Sequence, residues 1–505
     1  METALRFRTL APFVLGALLA ASPSPAQSPP RVHVAQGDLV GMLDHGADAF
    51  LGIPYAAPPV GGKRWQAPAP PSNWRGARDA RHFGPACMQP DAAPLGPWSI
   101  EYFVGGPYDE DCLSLNVWTT AAPAAGQAVV LFVPGGGFNQ GGGGVPIYNG
   151  AAMARAGVVF VSMNYRLGPA GFLATPELAA ESPDHTSGNY TLYDVLAALT
   201  WIRTNIAAFG GDPTKVTVMG QSAGAAAINA LLHAPLSKGL FRAAILDSGV
   251  RLMPSWVSNA DREKMSGAWA ASKGAATLAQ MRALPAAAMI QPHGSLFRFG
   301  PSTDGAVLPE SAAPFVDVPV LTGWNAAEGA APLGKTLATP IRRDEFAAIE
   351  NQTFGPAAQD LLALYPSGDD ATEAAHAAGH DAMMMTTAAW AAGWHNRVYL
   401  YDFEHVMPGD GATDWGSYHS SELPYVFGTL SVLGRPWTDA DQKVAATLRA
   451  YWVNFIKTGD PNGQDLPKWT IFELKNSKVM ALGDDAHMRP IASPKKLEFY
   501  ERASR

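Results

Sequence analysis

Gly220-Gln221-Ser222-Ala223-Gly224 sets a serine hydroxyl between two glycines in the spacing G-x-S-x-G. A serine oxygen becomes a useful nucleophile only when a neighbouring base removes its proton. The flanks supply a context for that chemistry. Val216, Val218 and Met219 form a short apolar run of buried-strand type, and the Ala-rich stretch Ala223–Leu232 reads as a helix. A sharp strand-to-helix turn forces an unfavourable backbone conformation on Ser222, so the residues two positions either side must lack bulk. It also sets the serine at a helix N-terminus, where N–H groups and the dipole favour developing negative charge. In a chain with 51 glycines the five-residue pattern arises readily by chance, so its surroundings must decide.

Such a nucleophile needs oxyanion donors, a base and an acid, each carried by an element that holds it still. Residues 128–133 read as a strand running into Pro134-Gly135-Gly136-Gly137-Phe138-Asn139-Gln140-Gly141. Consecutive glycines let a backbone approach a ligand with its N–H groups turned inward, as an oxyanion hole requires. Val158–Met163 is a second buried-type strand and residues 192–205 an amphipathic helix. Strands alternating with helices from 128 to 250 indicate a parallel central sheet. An apolar strand at 318–322 leads into Gly323-Trp324-Asn325-Ala326-Ala327-Glu328-Gly329. A carboxylate just past a strand end is well placed to orient a histidine, and the order serine, acid, histidine fits this kind of sheet.

Residues 188–224 read GNYTLYDVLAALTWIRTNIAAFGGDPTKVTVMGQSAG. This closely resembles the type-B carboxylesterase/cholinesterase family, whose members show GNxxLxDxxxALxWxxxNIxxFGGDPxxVTxxGxSAG. Further segments are similar to family signatures: FLGIPYAAPP at 50–59 with Arg64 and Trp65, EDCLSLNV at 110–117, NYRLGPAGFL at 164–173, and WVNFIKTGDPNG at 452–463. HSSELPYVFG at 419–428 resembles the HGxELPYVFG of bacterial, secreted members. The resemblance covers nearly the whole mature chain. It implies an α/β-hydrolase fold: a large, mostly parallel central sheet flanked by helices, with a small N-terminal antiparallel sheet.

Carried over residue by residue, the resemblance implies Ser222 as nucleophile, His419 as general base and acid, and Glu328 as the orienting acid. Gly136, Gly137 and Ala223 would supply the oxyanion N–H donors. Gln221, Ser248 and Glu422 would form a polar surround to the histidine. Of the 12 histidines only His419 has this context; His405, after the strand at 399–403, is its nearest rival. Three positions depart from the family pattern. Pro134 stands where His or Tyr is common, which questions side-chain support of the glycine loop. Ser420 replaces a glycine. Gln221 replaces a frequent Glu, removing a negative charge beside His419, which lowers the expected imidazole pKa.

Other polar and aromatic positions read as structural or open. Arg166 reads as a buried ion pair rather than a substrate clamp, Asp247 as structural and Asp304 as a turn residue. Phe297 and Phe299 are placed in either the core or an acyl pocket. The Met383-Met384-Met385 run reads as core packing. The aromatic-rich stretch 88–109 forms either one wall of a pocket or an anchored loop.

Length alone, at 505 residues, suggests several domains, yet 47% hydrophobic content can fill one large core, so 27–505 is expected to be a single catalytic domain. Residues 1–26 carry Arg6 and Arg8, an apolar stretch too short to span a bilayer, and Ser24-Pro25-Ala26: the three parts of a signal peptide. A secreted or periplasmic location in a bacterium follows. Cys87 and Cys112 suffice for one bridge, and the resemblance implies that bond; two buried free thiols are the alternative. The formal charge of −8 argues against nucleic acid. No cofactor, metal site or membrane span is expected, and the partner is a small-molecule ester; oligomeric state is not legible. Amide or carbamate hydrolysis by the same machinery, and a non-catalytic binding protein of this fold, are the competing functions.

Overall fold

Seven consecutive parallel strands form the centre of the molecule. The computed structural model describes residues 28–120, 125–250, 256–310, 313–328 and 336–503; the leader expected at 1–26 lies outside them. In chain order the strands of the main sheet are β1 (Met42–Asp44), β2 (Ala47–Pro54), β3 (Ser114–Thr119), β4 (Gln127–Val133), β5 (Val158–Met163), β6 (Gly211–Gln221), β7 (Ala243–Asp247), β8 (Val320–Asn325), β9 (Val398–Phe403), β10 (Lys478–Leu482) and β11 (His487–Pro490). They lie in the order β11-β10-β9-β8-β7-β6-β4-β5-β3-β2-β1. Strands β10 to β5 along that order are parallel, and the outer pairings at both edges are antiparallel.

The parallel strands are β-branched, apolar runs because both faces are covered. All six residues of β5 are buried. Along β4 the side chains of Val129, Leu131 and Val133 enter one core and those of Ala128, Val130 and Phe132 the other, the period of two that a pleated strand imposes. The helices Tyr190–Asn205 and Ala223–Leu232 cover the first face, through Leu192, Val195, Leu199, Ile228 and Leu231. The helix Asp439–Thr458 covers the second, through Val444, Leu448, Trp452 and Phe455. That helix starts in a Thr438–Asp441 capping box and stops at Gly459, whose φ of +73° is a left-handed cap.

A separate three-stranded sheet sits near the N-terminus. Arg31–Val34 and Gly37–Val40 pair antiparallel, as expected, but the third strand, Ala77–Asp79, joins parallel to the second. The antiparallel hairpin β1–β2 extends the main sheet. Cys87 and Cys112 are joined in a disulfide. At its foot Arg64 Nε donates to Glu110 Oε1 at 2.7 Å. Arg166 is paired with Asp194 at 2.7 Å, both buried, so its role is structural. Asp304 Oδ1 accepts the N–H groups of Ala306, Val307 and Leu308, the pattern of a turn residue.

Candidate active site

The site lies where the parallel strands end at their carboxyl edge, the usual location for ligands in such sheets. Strand β6 runs in register with β7 as far as Gln221 opposite Asp247, and the Ser222 N–H then bonds Asp247 O at 2.8 Å. At Ser222 the chain turns with φ +56° and ψ −121°, a conformation costly to any residue with a side chain. The flanking glycines make the turn possible. A Cβ on Gly220 would lie 2.5 Å from the Gly224 carbonyl carbon, and one on Gly224 only 2.0 Å from Val133 O. Ala223 opens the following helix, where its N–H has no intrahelical acceptor.

Beside the serine, the loop after β4 also adopts conformations open chiefly to glycine, with φ of +115° at Gly136 and +62° at Gly137. A Cβ on Gly136 would meet Gln140 O at 2.1 Å. The N–H groups of Gly136 and Gly137 find no acceptor among the described residues. Support comes from outside position 134: Tyr165 Oη donates to Pro134 O at 2.5 Å, Gly168 N to Phe138 O at 2.6 Å, and Gly141 N to Gln89 Oε1 at 2.8 Å.

Beyond β8, the Ala327 N–H bonds Ser417 O at 3.1 Å and so ties the Glu328 loop to the His419 loop. His419 Nδ1 donates to Glu328 Oε2. The other carboxylate oxygen accepts Ser248 Oγ at 2.5 Å and Asn325 N at 2.9 Å, and Glu328 is 4% exposed. With Nδ1 protonated toward the carboxylate, Nε2 is the acceptor, and the Gln221 amide nitrogen faces it at 3.2 Å. Trp98 Nε1 donates to the backbone carbonyl of His419 at 2.9 Å. Downstream, the Phe427 ring packs edge-on against Phe132, centroids 4.9 Å apart, anchoring the helix Leu423–Phe427 to the sheet. Ser420, where glycine was the usual residue, holds φ +74°.

Behind the imidazole lies a buried polar layer. Asn325 Nδ2 donates to Glu422 Oε2 at 2.6 Å and to Tyr418 O at 2.7 Å. Burial raises the Glu422 carboxyl to about 7, the negative Glu328 adds to the rise, and the Asn325 bond opposes it. Asp247, hydrogen-bonded by Tyr401 Oη at 2.9 Å, is pushed well above the ordinary carboxylate range by burial and then by Glu422. Sequence reading missed Asn325 and Tyr401. Their signal was a polar group within an otherwise apolar strand.

Ser222, His419 and Gln221 open on one cavity of about 500 Å³ with the glycine loop. Trp98, Tyr102 and Phe103 form one wall and residues 291–298 another, including Phe297. Phe299 is core, packed edge-on against Trp269 at 6.2 Å. His405 is elsewhere, held by Asp441 at 2.9 Å and Asp484 at 2.7 Å. Met384 and Met385 are buried in the core. Among the described residues no cluster of His, Cys, Asp and Glu has the arrangement of a metal site, and no helix is long and apolar enough to cross a membrane.

Known proteins share this architecture. Fumonisin B1 esterase of Sphingopyxis macrogoltabida is 36% identical over 93% of this chain and 90% of its own. Phenmedipham hydrolase of Pseudarthrobacter oxydans is 34% identical over 90% of this chain and 95% of its own. Among solved structures, a PNB esterase matches with a TM-score of 0.79 at 29% identity, covering 93% of this chain and 99% of that one. Residues 28–500 match the model of one family across almost the full length, and on these grounds the chain belongs to the carboxylesterase family.

Proposed function

We propose that this carboxylic ester hydrolase works through an acyl-enzyme on Ser222. His419 takes the Ser222 proton through Nε2 as the oxygen attacks the ester carbonyl, and returns it to the leaving alcohol. Glu328 holds the imidazole in the Nδ1–H tautomer and stabilises its charged form. The N–H groups of Gly136, Gly137 and Ala223 bind the oxyanion, commonly the largest electrostatic contribution to such reactions. Water, activated by the same histidine, then releases the acid. Gln221, Ser248 and Glu422 position His419 and Glu328.

The observation that carries this reading is the Glu328–His419 hydrogen bond, with His419 lining the same cavity as the strained Ser222 and the glycines at 136 and 137. The one-domain organisation over 27–505, and removal of residues 1–26 on export to the periplasm or medium, belong to the same proposal. A neutral organophosphonate tests it. Stoichiometric labelling of the wild type, absent in Ser222→Ala, is expected; a folded wild type that resists labelling would overturn the mechanism. Matched ester and amide substrates then settle the leaving group, with ester turnover expected to dominate.

A further inference from the structure

The cavity's permanent charge is one-sided. Arg298 lines it, with His293 beside it on the same wall, and among the described residues none that lines it is an aspartate or glutamate. The acidic groups near the site, Glu328 and Glu422, are buried behind His419, at 4% and 0% exposure. Position 221, next to the nucleophile and lining the cavity, is a neutral glutamine.

The wall that carries Arg298 is itself built on a second guanidinium. Arg262, 2% exposed, donates Nη1 to Arg298 O at 2.7 Å and lies over the Phe299 ring, 6.0 Å from its centroid. Its buried Nε has no hydrogen-bond partner. Burial without a counter-ion lowers its pKa to about 10. Neither Arg262 nor Arg298 forms an ion pair with an acidic residue among the described residues. In a chain of net charge −8, Arg298 on the cavity wall and Arg262 buried behind it, neither paired with an acid, form a local positive site in a negative molecule.

We propose that this esterase selects esters bearing a carboxylate, which the Arg298 guanidinium receives on the 291–298 wall while the ester carbonyl sits at Ser222. This specificity rests on the reading of Ser222 as the nucleophile. A guanidinium offers the planar fork that a carboxylate fits in bidentate fashion. The absence of cavity carboxylates disfavours cationic esters in the same measure.

Two substrate pairs distinguish where the carboxylate sits. Mono-p-nitrophenyl glutarate against p-nitrophenyl 4-carbamoylbutanoate places it on the acyl side. 4-Carboxyphenyl butyrate against 4-carbamoylphenyl butyrate places it on the alcohol side. In at least one pair the anionic member is expected to have about tenfold higher kcat/KM, mostly through KM, as a charged hydrogen bond at a binding wall would give. Arg298→Gln should bring that ratio toward one, and Arg298→Lys should retain part of it. Indifference in both pairs, or a ratio unmoved in Arg298→Gln, overturns the inference. A neutral phosphonate titrates Ser222 in every variant. Labelling with indifferent ratios rejects the specificity alone, whereas failure to label the wild type rejects the nucleophile and the specificity with it.

Discussion

Ser248 Oγ donates at 2.5 Å to Glu328 Oε1, the carboxylate oxygen that His419 does not use. Together with the Asn325 N–H on the same oxygen, this fixes the carboxylate plane and so the direction of the imidazole. Ser248→Ala leaves a buried carboxylate short of one donor. Hydrogen bonds to charged groups contribute about 1.5–3 kcal/mol, so kcat should fall by about tenfold to a hundredfold with KM little changed. Steady-state kinetics and the rate of phosphonate labelling should fall together; an undiminished kcat would remove Ser248 from the positioning of Glu328.

Gln221 faces His419 Nε2 at 3.2 Å and carries no charge. Gln221→Glu would place a carboxylate beside the imidazole, favouring its protonated form and raising its pKa. In the proposed mechanism His419 must be neutral to act as base. The acid limb of kcat/KM should therefore move to higher pH, by about one unit. A pH–rate profile of the two proteins is the measurement, and a limb that stays or moves to lower pH refutes the expected coupling.

Glu422 supplies a stability signature. Its folded-state pKa of about 7 lies above the ordinary 4.5, so the folded protein holds a proton that the unfolded chain releases between those values. The contribution is full below about 4.5 and is lost as pH rises through 7, by roughly 3 kcal/mol at 1.36 kcal/mol per unit. In Glu422→Gln this downward slope of stability over pH 4.5–7 should flatten. Denaturant or thermal unfolding at several pH values in both proteins checks it; identical slopes would show that Glu422 does not titrate in that window.

Ser420 pays a backbone penalty that its neighbours do not require. Its φ of +74° suits glycine, and its side chain is not among the groups bonded to His419 or Glu328. Ser420→Gly should stabilise the protein by about 1 kcal/mol, the relief of left-handed strain being partly offset by greater freedom in the unfolded chain. Chemical unfolding measures this directly, and a destabilised variant would assign the serine hydroxyl a structural partner.

Much of this arrangement was legible because strand–turn–helix chemistry is local. The elbow at Ser222 needs glycines two residues away, and the loop at Gly136 needs left-handed conformations within three residues of its strand. Those demands are written in adjacent positions. The strands from β4 to β9 were likewise legible from apolar, β-branched runs, with ends differing by a residue or a few. What sequence could not display was convergence over long separations. Asn325 reaches Glu422 across 97 residues and Tyr401 reaches Asp247 across 154, and neither spacing leaves a local pattern. The same limit hid the hairpin's attachment to the main sheet, since pairing of β2 with β3 is set by packing beyond the hairpin turn. It also hid the charge at the cavity, which emerges only when Arg262 packs behind the wall that carries Arg298.

The segment between Cys87 and Cys112 returns to its own starting point, its ends joined through sulfur and separated by 25 positions. It supplies Trp98, Tyr102 and Phe103 to the cavity, while the reacting groups sit on strands and turns that it does not contain. Such a closed segment is an exchangeable cassette. Its aromatic residues other than Trp98 can be varied as a set to redraw the cavity's outline, leaving Ser222, Glu328 and His419 in place. A library must hold constant Trp98, whose indole N–H donates to the carbonyl of His419, and Gln89, whose amide oxygen accepts from Gly141 N in the glycine loop.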